Sequence, residues 1–375
     1  MNLRRTLSAV VLTFGFAASI SAQDANTSAD QSWRSSSEQS GSGSVPTRTM
    51  ETHRESDGKV IDTRSIQRAG AGGRYEPFLD TEKESVKVDA STTRTVVRTY
   101  GRDPDGRRKL VQQIEETVQG SPDGDSKVSR TTSNPDVNGS LQVIQREQEA
   151  TKRTGPNSQE TMTTVLAPDA NGRFVPMMQV KEQQTKASNS VTEVRKSTLL
   201  PDANGKWQVS EVREGRMETA GKDVTKSEQV SRPDSEGRLS VVQKTVSKDS
   251  DGLDGNKRQT VENHSNQIPG KADNTGLRLS QRVTTTTRTG ADGTANTQQQ
   301  VEQSDPSGSN NGMQVTQQTI DIVRPGNDGS REQQQTVARD VNGNPTVVSI
   351  DIRQSSKPAT VPAAAPPDNK PTKPK

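Results

Sequence analysis

The chain contains no cysteine, which excludes a disulfide framework, thiolate chemistry and a lipid-modified N-terminal cysteine. Aromatic residues make up only 2% of its 375 residues, so the stacking platforms used to bind single-stranded nucleic acid are missing. No sign of charge dominates, with 50 Lys and Arg against 47 Asp and Glu. Because the two signs are interleaved along the chain, there is no basic face of the kind nucleic acid requires. Histidine is nearly absent as well. His53 and His264 each lie in a polar, charged run with no partner at metal-ligand spacing, and are expected to be exposed. There is no Gly-x-Ser-x-Gly elbow and no phosphate-binding glycine loop opening a helix. The stretch Asp249–Asn256 crowds three carboxylates together, but Leu253 and Asp254 stand where a calcium loop wants an oxygen ligand and a glycine. These absences predict a non-enzyme with neither metal nor cofactor.

Long apolar runs are also scarce. The one that exists lies at the N-terminus, where Arg4 and Arg5 precede an apolar stretch from Leu7 to Ala18 and small residues close at Ala22. That order is a secretory signal peptide over 1–22, and the run is too short for a spanning helix. The chain is therefore expected to be exported, to the periplasm, the cell surface or the medium, with no transmembrane segment. Leu, Ile, Val and Phe fall below the one-fifth level associated with disorder, although disorder also calls for high net charge and the formal charge here is only +3. A largely disordered chain is the alternative to a folded one.

What is abundant is turn chemistry at a fixed spacing. Pro168-Asp169-Ala170-Asn171-Gly172 returns as Pro201-Asp202-Ala203-Asn204-Gly205, and looser copies are Pro135-Asp136 with Gly139 and Pro233-Asp234 with Gly237. Counting from Gly106, these glycines are separated by 33, 33, 33 and 32 residues, the signature of a repeat. Proline presets φ, aspartate folds its carboxylate onto N–H groups ahead of it, and glycine supplies positive φ. Each copy is thus predicted to be a hairpin turn. Weaker turns, such as Pro122-Asp123-Gly124 and Ala220-Gly221-Lys222, fall about halfway between, so one period holds two strands and two reversals.

The intervening runs are rich in Thr and Val, as in Thr92–Tyr100 and Val283–Thr287, and none carries a helical apolar stripe. The predicted fold is all-β: tandem repeats of about 33 residues in an antiparallel up-and-down meander of long strands, forming an extended, twisted sheet. So many strands bring bulges, strong twist and partial closure, around a thin core. A membrane barrel is set aside, for want of an apolar band and aromatic girdles. The expected organisation is a Ser, Gln and Gly-rich flexible leader over 23–47 with Trp33 unpartnered, a hairpin region over 48–354, and a Pro, Ala and Lys-rich tail over 355–375.

One repeat has too few large apolar side chains to offset its own chain entropy, so order must come from neighbours. The function that follows is an exported structural, spacer or adhesive element of the envelope or extracellular matrix, with envelope or matrix components or other copies of itself as partners. The alternatives are a binding module whose groove for a lipid or peptide is lined by Phe174, Trp207 and Leu239, and a self-assembling β-fibre.

Overall fold

The computed structural model describes residues 31–41, 45–70, 72–103, 105–120, 124–252, 256–266, 276–304, 312–327, 329–339, 344–356 and 359–360. The expected signal peptide over 1–22, the first residues of the expected leader and most of the expected tail lie outside this set, as do Leu253, Asp254 and Gly255 of the Asp-rich loop.

Among the described residues every regular element is a strand. In chain order they are β1 (Gln31–Gly41), β2 (Thr47–Ser56), β3 (Lys59–Ala69), β4 (Tyr75–Lys87), β5 (Thr92–Arg102), β6 (Arg108–Gly120) and β7 (Ser126–Pro135). They continue as β8 (Leu141–Gly155), β9 (Ser158–Pro168), β10 (Phe174–Lys186), β11 (Val191–Pro201), β12 (Trp207–Ala220), β13 (Asp223–Pro233) and β14 (Leu239–Asp251). The last are β15 (Lys257–Ser265), β16 (Arg278–Thr289), β17 (Ala295–Ser304), β18 (Met313–Gly326), β19 (Gly329–Arg339), β20 (Pro345–Ser356) and the short β21 (Ala359–Thr360). The long antiparallel meander is as the turn spacing predicts, and a largely disordered chain is not what forms.

The open sheet is corrected. Strand β1 pairs with β2 along one edge and with β20 along the other, where Ser37–Gly41 face Asp351–Ser355. Strand β21 runs on beyond β20 and pairs with β1 at Trp33 and Arg34. The first and last staves meet, and the sheet closes into a barrel of twenty staves. The physical reason is the uniform stagger of the register. The row His53, Asp62, Lys83, Val97, Ile114, Thr132, Gln145 starts near the end of β2 and finishes near the start of β8. A stagger of constant sense accompanies the strand tilt that lets a twisted sheet return on itself. Closure also changes what the period means. It is not a stackable unit that extends with copy number, but a fixed share of a ring. The stretch 23–47, expected as a flexible leader, supplies β1, and Trp33 lies in register with His53.

Because the strands alternate in direction, all connections from odd to even strands lie on one rim, called here the major rim, and the others on the opposite, minor rim. The recurring Pro-Asp…Gly turns all fall on the major rim. At β11–β12 the Asp202 Oδ1 accepts the N–H groups of Asn204 (2.8 Å) and Lys206 (2.9 Å), while the Gly205 N–H donates to the Asp202 carbonyl. Asp136, Asp169 and Asp234 repeat the pattern. These bonds favour the ionised carboxylate. The N–H of Lys206 is the main cause holding Asp202 below the usual aspartate range, and those of Arg238 and Glu236 do the same for Asp234.

Gly205 has φ +76° with open space where a Cβ would go. Only backbone strain therefore opposes substitution. Gly205→Val is expected to cost about 1–3 kcal/mol and Gly205→Asn well under half of that. Urea unfolding of the two variants checks this, and equal losses would contradict the turn.

Each of the nine hairpins from β3–β4 to β19–β20 also carries a bulge on its second strand, just below the major rim. The extra residue tightens the local twist. Where it is Ser210, Ser280 or Thr316, its hydroxyl donates to the carbonyl across the hairpin, of Thr198, Asn263 and Val301 respectively.

Candidate functional site: the inner wall

Successive side chains point to opposite faces of a strand, and directly paired residues share a face. The register therefore sorts the wall into two sets. In β10, Glu182 and Gln184 are half-buried while Lys181, Gln183 and Thr185 are exposed. In β8, Gln145, Glu147 and Glu149 are half-buried while Arg146 and Gln148 are exposed, and β17 alternates likewise at Thr297 and Gln298. Side chains converge on the concave side of a barrel and splay on the convex side, so the half-buried set lines the lumen.

That lining is mixed, its charged and amide side chains interspersed with Val97, Ile114, Val165 and Val230. Among the described residues the buried apolar side chains are Val165, Val212, Val230 and Leu277, far too few to fill the interior of such a ring. Twenty staves about 4.8 Å apart, tilted by about 40°, enclose a diameter of about 40 Å between backbones. Side chains on opposite walls cannot meet across it, and the lumen holds water.

Charge is arranged on this wall in cross-strand clusters. Arg130 on β7 bridges its two neighbouring strands, donating to Glu116 on β6 (2.6 Å) and to Glu147 on β8 (2.9 Å). Thr163 on β9 donates to Glu149 at 3.2 Å and extends the row. A second cluster joins Glu211 and Arg213 on β12 to Glu228 and Arg232 on β13, at 2.6 to 3.3 Å. Between the two stands the Glu182–Lys196 pair at 3.8 Å. His53 is not the exposed histidine that the sequence predicts. It is half-buried on the lumen face, with its Nδ1 2.6 Å from Asp62 Oδ1 on the adjoining strand. Nothing in its run of sequence marks that partner, which comes from the next strand.

The outer wall is charged through its middle as well, with Arg216–Glu193 at 3.1 Å and Arg94–Glu115 at 3.2 Å. A shallow depression of about 400 Å³ lies there among Gln183, Arg195, Glu214, Arg216 and Gln229, bordered by the Arg195–Glu214 pair. Among the described residues no three His, Asp or Glu side chains cluster to hold a metal.

The sequence-predicted turn residues sit on the major rim: Pro135, Pro168, Pro201 and Pro233 end their strands, and Gly139, Gly172, Gly205 and Gly237 have positive φ. The predicted groove is not assembled. Phe174, Trp207 and Leu239 open β10, β12 and β14, where each pairs with the proline across its own turn and an intervening strand separates it from the next.

A closed, water-filled, antiparallel β-barrel with an ion-paired inner wall is the class of protein this geometry defines. No family model matches the sequence, and no curated protein matches it. Among solved structures the chain is similar to OccK2 (OpdF) of Pseudomonas aeruginosa in complex with glucuronate, at 9% identity, covering 88% of this chain and 98% of that one with a TM-score of 0.42. It is similar to the outer membrane protein opdK of the same organism, at 8% identity, 89% and 99% coverage and a TM-score of 0.40. A mutant of its ferric enterobactin receptor, PfeA, gives 8% identity, 88% and 73% coverage and a TM-score of 0.46.

The expected function is corrected accordingly. A spacer, adhesive element or fibre subunit needs a sheet that extends, with open edges for the next copy, whereas here β1 and β20 consume each other's edges. Matrix partners fall with it, since half of the wall faces inward. The inference that nothing crosses a membrane rested on apolar runs of helical length, and on setting a membrane barrel aside for want of a continuous apolar band and aromatic girdles; the closed ring overturns it. No helix among the described residues is long and apolar enough to cross, and that criterion does not speak to strands closed in a ring.

Proposed function

We propose that this chain is an exported envelope barrel that provides an aqueous passage for small hydrophilic solutes at an outer membrane, and that it carries out no catalysis. The observation that supports this most is the closed ring with a charged, hydrated inner wall. An interior faced with the Arg130–Glu147 and Arg213–Glu228 pairs does not pack dry, because stripping water even from paired charges carries a large desolvation cost. Barrels of comparable stave number leave an aqueous channel, and the solved structures named above include an outer membrane protein and a receptor. Export follows from the N-terminal signal.

The proposed solutes are small and polar, sorted by size and by the charge clusters rather than by a shaped pocket. The test is flux. Full-length mature protein, folded by circular dichroism and incorporated into lipid vesicles, is expected to release entrapped small sugars quickly and large dextrans slowly, and to give stepwise conductance in a planar bilayer. Folded, incorporated protein that leaves both membranes sealed would overturn the proposal.

A further inference from the structure

The outer wall is not uniform from rim to rim. Its middle is a ladder of ion pairs, but just under the major rim the outward positions turn apolar. The second strand of each hairpin opens there: Leu141 on β8, Phe174 on β10, Trp207 on β12 and Leu239 on β14 all face outward, followed two residues on by Val143, Pro176, Val209 and Val241. The bulges add to the same level. Their extra residues include Phe78, Val111, Ile144, Met177 and Val348, which are 41 to 54% exposed. Leu141 and Leu239 are 42 and 48% exposed. These side chains have no covering element, they recur on hairpin after hairpin, and the ring brings them to one height.

We infer that this collar, at the major rim, is where the barrel meets hydrocarbon, and that its occupant is the acyl region of a lipid membrane. Three features on the molecule point to lipid rather than to a protein. The collar recurs on strands spread around most of the perimeter, broken where the outward Arg102 and Arg108 pair with Asp80 and Glu82, so its partner contacts many faces of the barrel, as a fluid membrane does without any matching symmetry. Its aromatic rings, with Phe174 and Tyr75 at the rim-side edge, are capped by guanidinium groups: Arg146 lies 4.3 Å from the Phe174 ring centroid, Arg108 3.5 Å from that of Tyr100, and Arg48 4.4 Å from that of Tyr75. An aromatic body with a cationic cover suits the boundary between hydrocarbon and headgroups. Finally, the collar has a definite depth. On β12 the outward positions Trp207, Val209 and Val212 are apolar, and the next outward residue is Glu214. Five steps of ~3.3 Å, tilted by about 40°, give an axial depth of about 12 Å. That is about half the apolar band of a typical outer-membrane barrel and close to the burial depth of an interfacial element. Lipid contact is thus centred on the collar, at the headgroup-proximal level, and the Arg216–Glu193 and Arg94–Glu115 ladder lies beyond that level toward the minor rim.

The test places a reporter at each level. Trp33 and Trp207 are the only tryptophans, so Trp33→Phe leaves Trp207 alone in the collar. On phosphatidylcholine vesicles brominated near the headgroup end of the acyl chain, Trp207 emission is expected to fall severalfold and to shift to the blue, with weaker quenching by bromine at the chain end. Moving the reporter to the charged outer wall, by Gln148→Trp in a Trp33→Phe, Trp207→Phe background, is expected to abolish the quenching. Should either tryptophan replacement prevent folding, Met177→Cys carrying an environment-sensitive dye reports the same level in an otherwise cysteine-free chain. Unquenched Trp207, an unshifted dye at position 177, or equal quenching at position 148 would each overturn the collar. Quenching at the collar in vesicles that remain sealed would leave this inference standing and sink the passage, so the two fail separately.

Discussion

With Ser36 and Ser356 both replaced by cysteine, the oxidised chain is expected to unfold at a substantially higher denaturant concentration than the reduced one. The two hydroxyl oxygens lie 3.0 Å apart across the seam between β1 and β20, 320 positions apart in sequence. Sulfur atoms in their place need to approach by only about another ångström to bond. The chain has no other cysteine, so no competing pairing exists. In the chain-entropy treatment, a crosslink closing a loop of that length stabilises by about 5–6 kcal/mol, less whatever strain the native geometry adds. The same pair distinguishes a ring from an open meander. In an open sheet these residues would stand some twenty strand spacings apart, roughly 95 Å, and no intramolecular disulfide could form. Non-reducing electrophoresis of dilute protein gives the answer, since only a closed seam produces a compact, faster-migrating monomer. Monomer that stays reduced under oxidant while retaining its sheet signal would show that the seam does not close.

The second large effect lies in the lumen. Arg130 holds two carboxylates, Glu116 and Glu147, with Glu149 next along the row. Arg130→Met removes the cation and leaves the acids facing one another on adjacent strands. Losing one partner of a buried ion pair costs about 3–5 kcal/mol, but the Arg130 side chain is 39% exposed, so solvent screening reduces this to about 1–3 kcal/mol. The companion effect is on selectivity. The wall loses one positive charge at a fixed point, and the passage is expected to favour cations over anions severalfold at low salt, less so at high salt where screening shortens the reach of each charge. Reversal potentials across a salt gradient measure it. Adding Glu116→Gln and Glu147→Gln to Arg130→Met is expected to restore stability and to remove the added cation preference, the three positions then carrying no charge; a triple variant as unstable as the single one would place the loss in packing.

Much of the wall is legible in the sequence, and the reason is locality. Pro201, Asp202 and Gly205 dictate a turn through bonds that span four residues, and Thr92 to Tyr100 dictates a strand by composition alone. Closure is not local. It depends on Ser37 meeting Ser355, and on a stagger that accumulates over twenty strands while no single hairpin reveals it. Bulges as such are expected of so many strands, but their positions at Met177 and Ser210 are hidden, because one extra residue within a polar strand leaves no mark when both faces are polar. That same two-sided polarity conceals which side is inner. In most barrels, apolar and polar residues alternate and declare the face, whereas Glu182 and Lys181 read alike until the curvature is known. Trp33 stands in a stretch whose Ser and Gly content reads as linker, and its strand exists only because β2 and β20 each present an edge for β1 to fill. Phe174, Trp207 and Leu239 were conspicuous from the start, but as a groove; the ring spreads them around a perimeter.

The period and the closure together make bore a discrete quantity. Duplicating one unit of 33 residues inserts two staves and leaves the strand directions, the rims and the seam intact. Each such event widens the ring by about 4 Å in diameter, from two more strand spacings shared around the circumference. Deleting a unit narrows it by as much, while losing a single strand would leave β1 and β20 parallel and break the seam. Unequal recombination between neighbouring copies of the turn, in which Pro168-Asp169-Ala170-Asn171-Gly172 and Pro201-Asp202-Ala203-Asn204-Gly205 are identical, would therefore change the sieving limit in whole steps, with no need for any side chain to be redesigned.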